Sequence, residues 1–281
     1  MQTFIHDGMT FSVVDAGPAG AAPERTVVLL HGFPQTSAAW QDVSARLHSH
    51  GFRTLALDNR GVSPMARPSR RSDYRIEHLV SDVVALLDAA GLEQANVVGH
   101  DWGGAIAWGL AQRHPERVRT LTVLATPHPA AMLWASLHST QALKSWYMGP
   151  LILPLVPEVG LTWALRTFGL HNLGLPTAQE QEYVRVLTQL GAVSGAVGPY
   201  RALPTMALRG RSDRPADEIT VPTTFVWGNR DVALGRAAAE RTEKYVTGDY
   251  RFVELDADHW LPEKRSERVA EEITRRVEST V

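Results

Sequence analysis

Asp101 lies in the run Gly99-His100-Asp101-Trp102-Gly103-Gly104, between an apolar strand-like stretch and a helix-like one. A Gly-x-Asp-x-Gly turn in that context lifts its central side chain above the carboxyl end of a strand, and small neighbours make room for the sharp turn. The plain alternative is an aspartate capping an ordinary helix. A carboxylate in this position suits attack on saturated carbon. A serine alkylated there would become a stable ether, whereas an alkylated carboxylate is an ester that water can cleave at its own carbonyl. The substrates of such chemistry are epoxides and alkyl halides.

The turn alone does not complete the reaction, and three other places in the chain supply what it lacks. His31-Gly32-Phe33-Pro34 follows the run Thr26–Leu30. A cis Phe33–Pro34 bond would aim the Phe33 N–H at the turn, and with the Trp102 N–H it would form an oxyanion hole. Each such donor contributes on the order of 3 kcal/mol. A base must then activate water. Of eleven histidines, His259 sits beyond the last strand-like run, in Asp256-Ala257-Asp258-His259-Trp260, where a late general base is expected. His31 and His100 lie inside backbone motifs and read as structural, while His128 and His171 are weaker candidates. Asp231, in Gly228-Asn229-Arg230-Asp231, can orient the imidazole, whereas Asp256 and Asp258 share the histidine's own loop and are poorer partners. Phe33, Trp102 and Trp260 are candidate walls of an apolar pocket.

These motifs need a scaffold. Thr26–Leu30, Arg53–Leu57, Ala95–Val98, Leu121–Leu124, Thr223–Trp227 and Arg251–Leu255 are short apolar runs leading into Gly, Asp or Pro, as strands covered on both faces would be. Ile76–Ala90, Gly104–Arg113 and Ser266–Val277 carry helical apolar stripes. The alternation predicts an α/β fold with a mostly parallel sheet flanked by helices. Thr3–Asp15 reads as an edge hairpin. From about His128 to Asp217 the alternation stops. The reading is a core over residues 1–127, an inserted helical cap over 128–217 and the rest of the core over 218–281.

Composition narrows the partners. Among 281 residues, 44% are hydrophobic and 21% charged, with a net charge of −2, which gives no general attraction to nucleic acid or anionic membrane. There is no cysteine, so disulfides, thiolate catalysis and cysteine-held metals are excluded, and a cytoplasmic setting is expected. No basic-then-apolar leader is visible at the start of the chain, and no apolar run approaches the ~20 residues of a membrane span.

Together, His31-Gly32-Phe33-Pro34, Gly99–Gly104, Asp231 and His259 resemble the epoxide hydrolases of the α/β-hydrolase superfamily, over essentially the whole chain. The resemblance implies that two cap tyrosines hold and protonate the epoxide oxygen. Ser145-Trp146-Tyr147 matches the family's first tyrosine stretch. Pro199-Tyr200-Arg201 matches the second, with Pro in place of Trp. Leu151-Ile152-Leu153-Pro154 departs from the family's Phe-Gln-Leu-Pro and loses an amide. The resemblance further implies a small apolar epoxide and water as reactants and no metal or organic cofactor. A homodimer stays open. The competing reading is a haloalkane or haloacid dehalogenase with the same Asp–His–acid set. Its halide would need N–H donors: Trp102 could supply one, as in dehalogenases that resemble this chain, but Phe33 stands where many of them carry Asn as the second. An inactive binding protein is disfavoured by the intact Asp101, His259 and Asp231. Ester or lactone hydrolysis is disfavoured because an aspartate would form an anhydride.

Overall fold

The structure, a computed structural model, describes residues 1–207 and 218–280, and for 205–207 the backbone alone. Eight strands form one sheet: β1 (Thr3–His6), β2 (Met9–Ala16), β3 (Thr26–Leu30), β4 (Arg53–Leu57), β5 (Ala95–His100), β6 (Val118–Leu124), β7 (Thr223–Gly228) and β8 (Tyr250–Leu255). Their spatial order is β1-β2-β4-β3-β5-β6-β7-β8. The β1–β2 hairpin joins the edge of β4 antiparallel, and every pair from β4 to β8 is parallel.

Alternation along β3 explains why its sequence is apolar without a break. Val28 and Leu30 enter a core cluster with Leu79, Val83 and Leu86 of helix α2 (Ile76–Ala89) and with Ile106 and Leu110 of α3 (Trp102–Arg113). Val27 and Leu29 point the other way. They pack with Val43 and Leu47 of α1 (Gln41–Ser49) and, at the far end of the chain, with Val269, Ile273 and Val277 of α13 (Ser266–Glu278). Successive side chains thus serve opposite faces, both under helices. Each fully buried aliphatic side chain contributes about 1.5–3 kcal/mol.

Between β6 and β7 the chain leaves the sheet and forms α4 (Pro129–His138), α5 (Gln141–Lys144), α6 (Met148–Ile152), α7 (Val156–Phe168), α8 (Thr177–Leu187), α9 (Ala192–Ala196) and α10 (Gly198–Ala207). No strand occurs in this insertion among the described residues; the end of the expected cap, 208–217, lies outside them. After β7 come α11 (Arg236–Arg241) and α12 (Leu261–Lys264), the latter just before α13. No single helix among the described residues is long and apolar enough to cross a membrane.

The insertion meets the core at defined points. A Cβ on Gly198 would run into the ring of Tyr74, so this glycine lets α10 settle on the core two residues before Tyr200. Arg201 then grips Glu158 of α7 through two hydrogen bonds, at 2.6 and 2.8 Å. Those contacts fix the segment that carries Tyr200.

Candidate active site

Asp101 joins β5 to α3 with φ of 52°, a left-handed conformation that costs a non-glycine residue about 1–3 kcal/mol. Its side chain makes no helix-capping hydrogen bond. The helix begins at Trp102, two residues earlier than its apolar stripe predicts, because the first turn is built from glycines. A Cβ on Gly103 would collide with the Leu30 carbonyl, and one on Gly99 with the Gly103 carbonyl. The close approach of β3, β5 and α3 therefore depends on those two positions.

The carboxylate's two oxygens meet different groups. Oδ1 accepts from the Phe33 N–H at 2.9 Å, and the Phe33–Pro34 peptide is cis. Oδ2 lies 3.7 Å from His259 Nε2, beyond a hydrogen bond but near enough for strong charge interaction. The other ring nitrogen, Nδ1, donates to Asp231 Oδ2 at 2.8 Å. Asp231 is held in turn by the N–H groups of Ala233 and Leu234, at 2.8 and 2.9 Å from Oδ1.

Burial sets the protonation states. It disfavours the charged His259 ring, but the carboxylates of Asp231 and Asp101 outweigh it and raise the imidazole to about 10. Burial also opposes charge on Asp101. His259 and the Phe33 N–H overcome that and hold Asp101 below the usual carboxylate range. Asp231 is lowered likewise, against burial, by His259 and its two backbone donors. The resting site is an imidazolium between two carboxylates.

Tyr147 and Tyr200 arrive from the insertion. Both pack in one cluster with Phe33, Trp102, Leu151 and Val197. Tyr200 is buried and meets Phe33 and Trp102 edge-on, with ring centroids at 5.6 and 5.1 Å. Burial, then the charge of Asp101, raises both phenols far above their ordinary value; Asp231 adds to the effect on Tyr147 and Tyr147 to that on Tyr200, while a hydrogen bond with Trp102 pulls Tyr200 slightly back. Both hydroxyls keep their protons. Trp260 packs edge-on against His259 at 5.2 Å, but belongs to the core cluster under α1 and α13 rather than to the tyrosine cluster.

An α/β-hydrolase fold profile matches residues 25–265. Epoxide hydrolase 3 of Xenopus tropicalis is 33% identical over 86% of this chain and 68% of its own length. The AB hydrolase superfamily protein YfhM of Bacillus subtilis is 34% identical over 91% of this chain and 90% of its own. The chain belongs to the α/β-hydrolase family, and within it to the epoxide hydrolases. A mutant epoxide hydrolase from Bacillus megaterium, crystallised with its diol product, superposes with a TM-score of 0.83 at 26% identity, covering 99% of this chain and 100% of that one.

In this epoxide hydrolase three of the other candidate histidines have tasks elsewhere. His31 Nε2 accepts from the Asn59 N–H at 3.1 Å, which leaves Nδ1 to donate to the Gly32 carbonyl. His128 caps α4, bonds Gln112 and stacks on Tyr245. His171 pairs with Glu180 at the surface of the insertion. Asp256 binds Arg230 and Asp258 binds Lys264, so neither competes for His259. No group of three His, Asp or Glu residues placed to hold a metal occurs among the described residues. Sequence reasoning passed over Gln35, Glu263 and Tyr183, which form a buried hydrogen-bonded cluster behind the site. A glutamine one residue after a turn motif and a glutamate in a four-residue helix give no periodic signal.

Proposed function

We propose that this chain opens epoxides to vicinal diols through an ester on Asp101. The observation that carries the reading is the convergence of two proton-bearing phenols, Tyr147 and Tyr200, on a charged, partly buried aspartate. An epoxide oxygen leaving as alkoxide needs a proton, and a phenol raised by burial still holds one at neutral pH. A halide would instead need N–H donors. Phe33 offers no side-chain donor, and the Trp102 ring packs edge-on against Tyr200.

In this scheme Oδ2 of Asp101 attacks an epoxide carbon, the C–O bond breaks, and a tyrosine protonates the alkoxide. Oδ1 stays with the Phe33 N–H and becomes the ester carbonyl oxygen, with the Trp102 N–H as the second intended donor. Ester formation removes one of the two charges that hold the proton on His259. The imidazole then falls from about 10 toward its ordinary value, and its proton returns to the tyrosinate. Neutral His259, oriented by Asp231, deprotonates water. Hydroxide adds to the ester carbonyl, the acyl–oxygen bond breaks, the diol leaves with the proton of the new carboxyl, and the resting charges are restored. Alkylation therefore creates the base that the second step requires.

The helices between β6 and β7 act as the cap that brings the tyrosines over the nucleophile, and an apolar epoxide and water are the reactants. Turnover of an epoxide panel, with alkyl chlorides and bromides in parallel, tests the reading. Diol formation without halide release is expected. Halide release without diol formation reverses it.

A further inference from the structure

Glu263 is a carboxylate where the fold gives little support for one. It is 6% exposed, lies on α12, and its Oε2 is buried with no hydrogen-bond partner. Its Oε1 accepts only from neutral groups: Gln35 Nε2 at 2.7 Å and the Tyr183 hydroxyl at 2.8 Å. A buried carboxyl with no ion pair in contact is expensive, and an unsatisfied oxygen of this kind calls for an explanation.

The contacts lead to the catalytic loop. The Gly32 N–H donates to Gln35 Oε1 at 2.8 Å, which fixes the amide so that its N–H₂ end faces Glu263. Gln35 Oε1 also lies 2.8 Å from His100 Nδ1, and His100 Nε2 lies 2.9 Å from the His259 carbonyl. His100 directly precedes the nucleophile. Burial, then the charge on His259, pushes its ring down to about 3, so it is neutral and has one N–H for two acceptor oxygens. The other end of the run is Tyr183, on α8 of the insertion. A chain of polar contacts thus joins the insertion to the backbone of His259.

We propose that Glu263 is a positioning residue for the hydrolytic half of the reaction, acting on His259 through Gln35 and His100 and coupled to the seated insertion through Tyr183. The inference rests on His259 being the base. Besides the chain, there is direct action: Glu263 and His259 interact by charge, and Glu263 is itself raised, first by burial. Ionised Glu263 is a third carboxylate favouring the imidazolium, after Asp231 and Asp101. Once Asp101 is esterified, it and Asp231 are the two that remain.

Other charged groups around the run are engaged elsewhere. On α1, Asp42 accepts from Gln179 of α8. Glu180, also on α8, bonds His171 and the Leu170 N–H. Lys264, beside Glu263, is turned to Asp258 and the Leu173 carbonyl, and Arg265 to the Asp256 carbonyl. On α13, Glu267 faces Arg46.

The test is Glu263→Gln, which keeps the shape and removes the charge, followed by single-turnover kinetics that resolve ester formation from ester decay. Ester formation is expected to be unchanged within about two-fold. The acid limb of ester decay is expected to move to lower pH by about half a unit, because the neutral base is reached sooner. Tyr183→Phe, which removes the donor that favours ionised Glu263, is expected to move it in the same direction by less. A merely structural role would lower Tm and leave the limb in place. A folded Glu263→Gln variant with an unmoved limb overturns the inference. If His259→Gln shows no trapped ester, the base assignment fails instead, and the two failures are distinguishable.

Discussion

The Phe33 N–H donates to Oδ1 of Asp101 at 2.9 Å, so one carboxylate oxygen is already held where an ester carbonyl oxygen would be stabilised. The other, Oδ2, is the one facing His259. This division of labour predicts which atoms move. In a single turnover in ¹⁸O-water, the diol should take its new oxygen from the unlabelled carboxylate, and the label should enter Asp101. Mass spectrometry of the peptide carrying Asp101 reads the result. Label found only in the diol would mean that water attacks the epoxide directly.

The imidazolium between two carboxylates makes His259 idle until the ester forms. His259→Gln should therefore leave alkylation largely intact and stop the second step. The expected outcome is rapid consumption of one equivalent of substrate, a stable added mass on Asp101, and steady turnover lowered by about 10²–10⁴-fold, the usual range for loss of a general base. Unchanged steady turnover would remove His259 from the mechanism.

Much of this frame is legible in the sequence. Thr26–Leu30 and Arg53–Leu57 are strands with the expected ends, because fully covered strands are apolar without interruption. Ala95–Val98 was short by two residues, since Gly99 and His100 break the apolar run yet still pair in the sheet. Helix α1 left no clear mark, for it buries only Val43 and Leu47 in nine residues. Asp101, Asp231 and His259 are legible because each sits in a short motif or just past a strand end, Tyr147 and Tyr200 only through the family resemblance, and the fold gathers them in one place. The Gln35–Glu263 bond spans 228 positions between residues with no local pattern, and only the packed structure reveals it.

The tyrosines carry the choice of leaving group, so their hydroxyls are the decisive atoms. Tyr147→Phe and Tyr200→Phe should each slow ester formation and leave decay of a preformed ester nearly unchanged. Removing one of two hydrogen bonds to a developing alkoxide should cost about 10-fold or more in alkylation rate, and the double variant should show no epoxide opening above background. Rapid-quench measurement of the ester checks both. A double variant with normal alkylation would return the halide as the leaving group to consider.

The same charges should be visible in stability. His259 is raised from 6.5 to about 10 on folding, so the stability it brings is fully present below pH 6.5 and is lost as pH climbs through about 10. Asp101 and Asp231 are lowered from 3.8, so their contribution is present above that value and is lost as pH falls through their depressed range. The two windows overlap between 3.8 and 6.5. Thermal unfolding of the wild type and His259→Gln should therefore differ most near pH 5, by less at neutral pH, and least near pH 10, where the wild-type ring has also lost its proton. A Tm difference that stays constant from pH 5 to pH 10 would mean that His259 stabilises the fold by packing, and that the charged triad at rest is not what holds the loop.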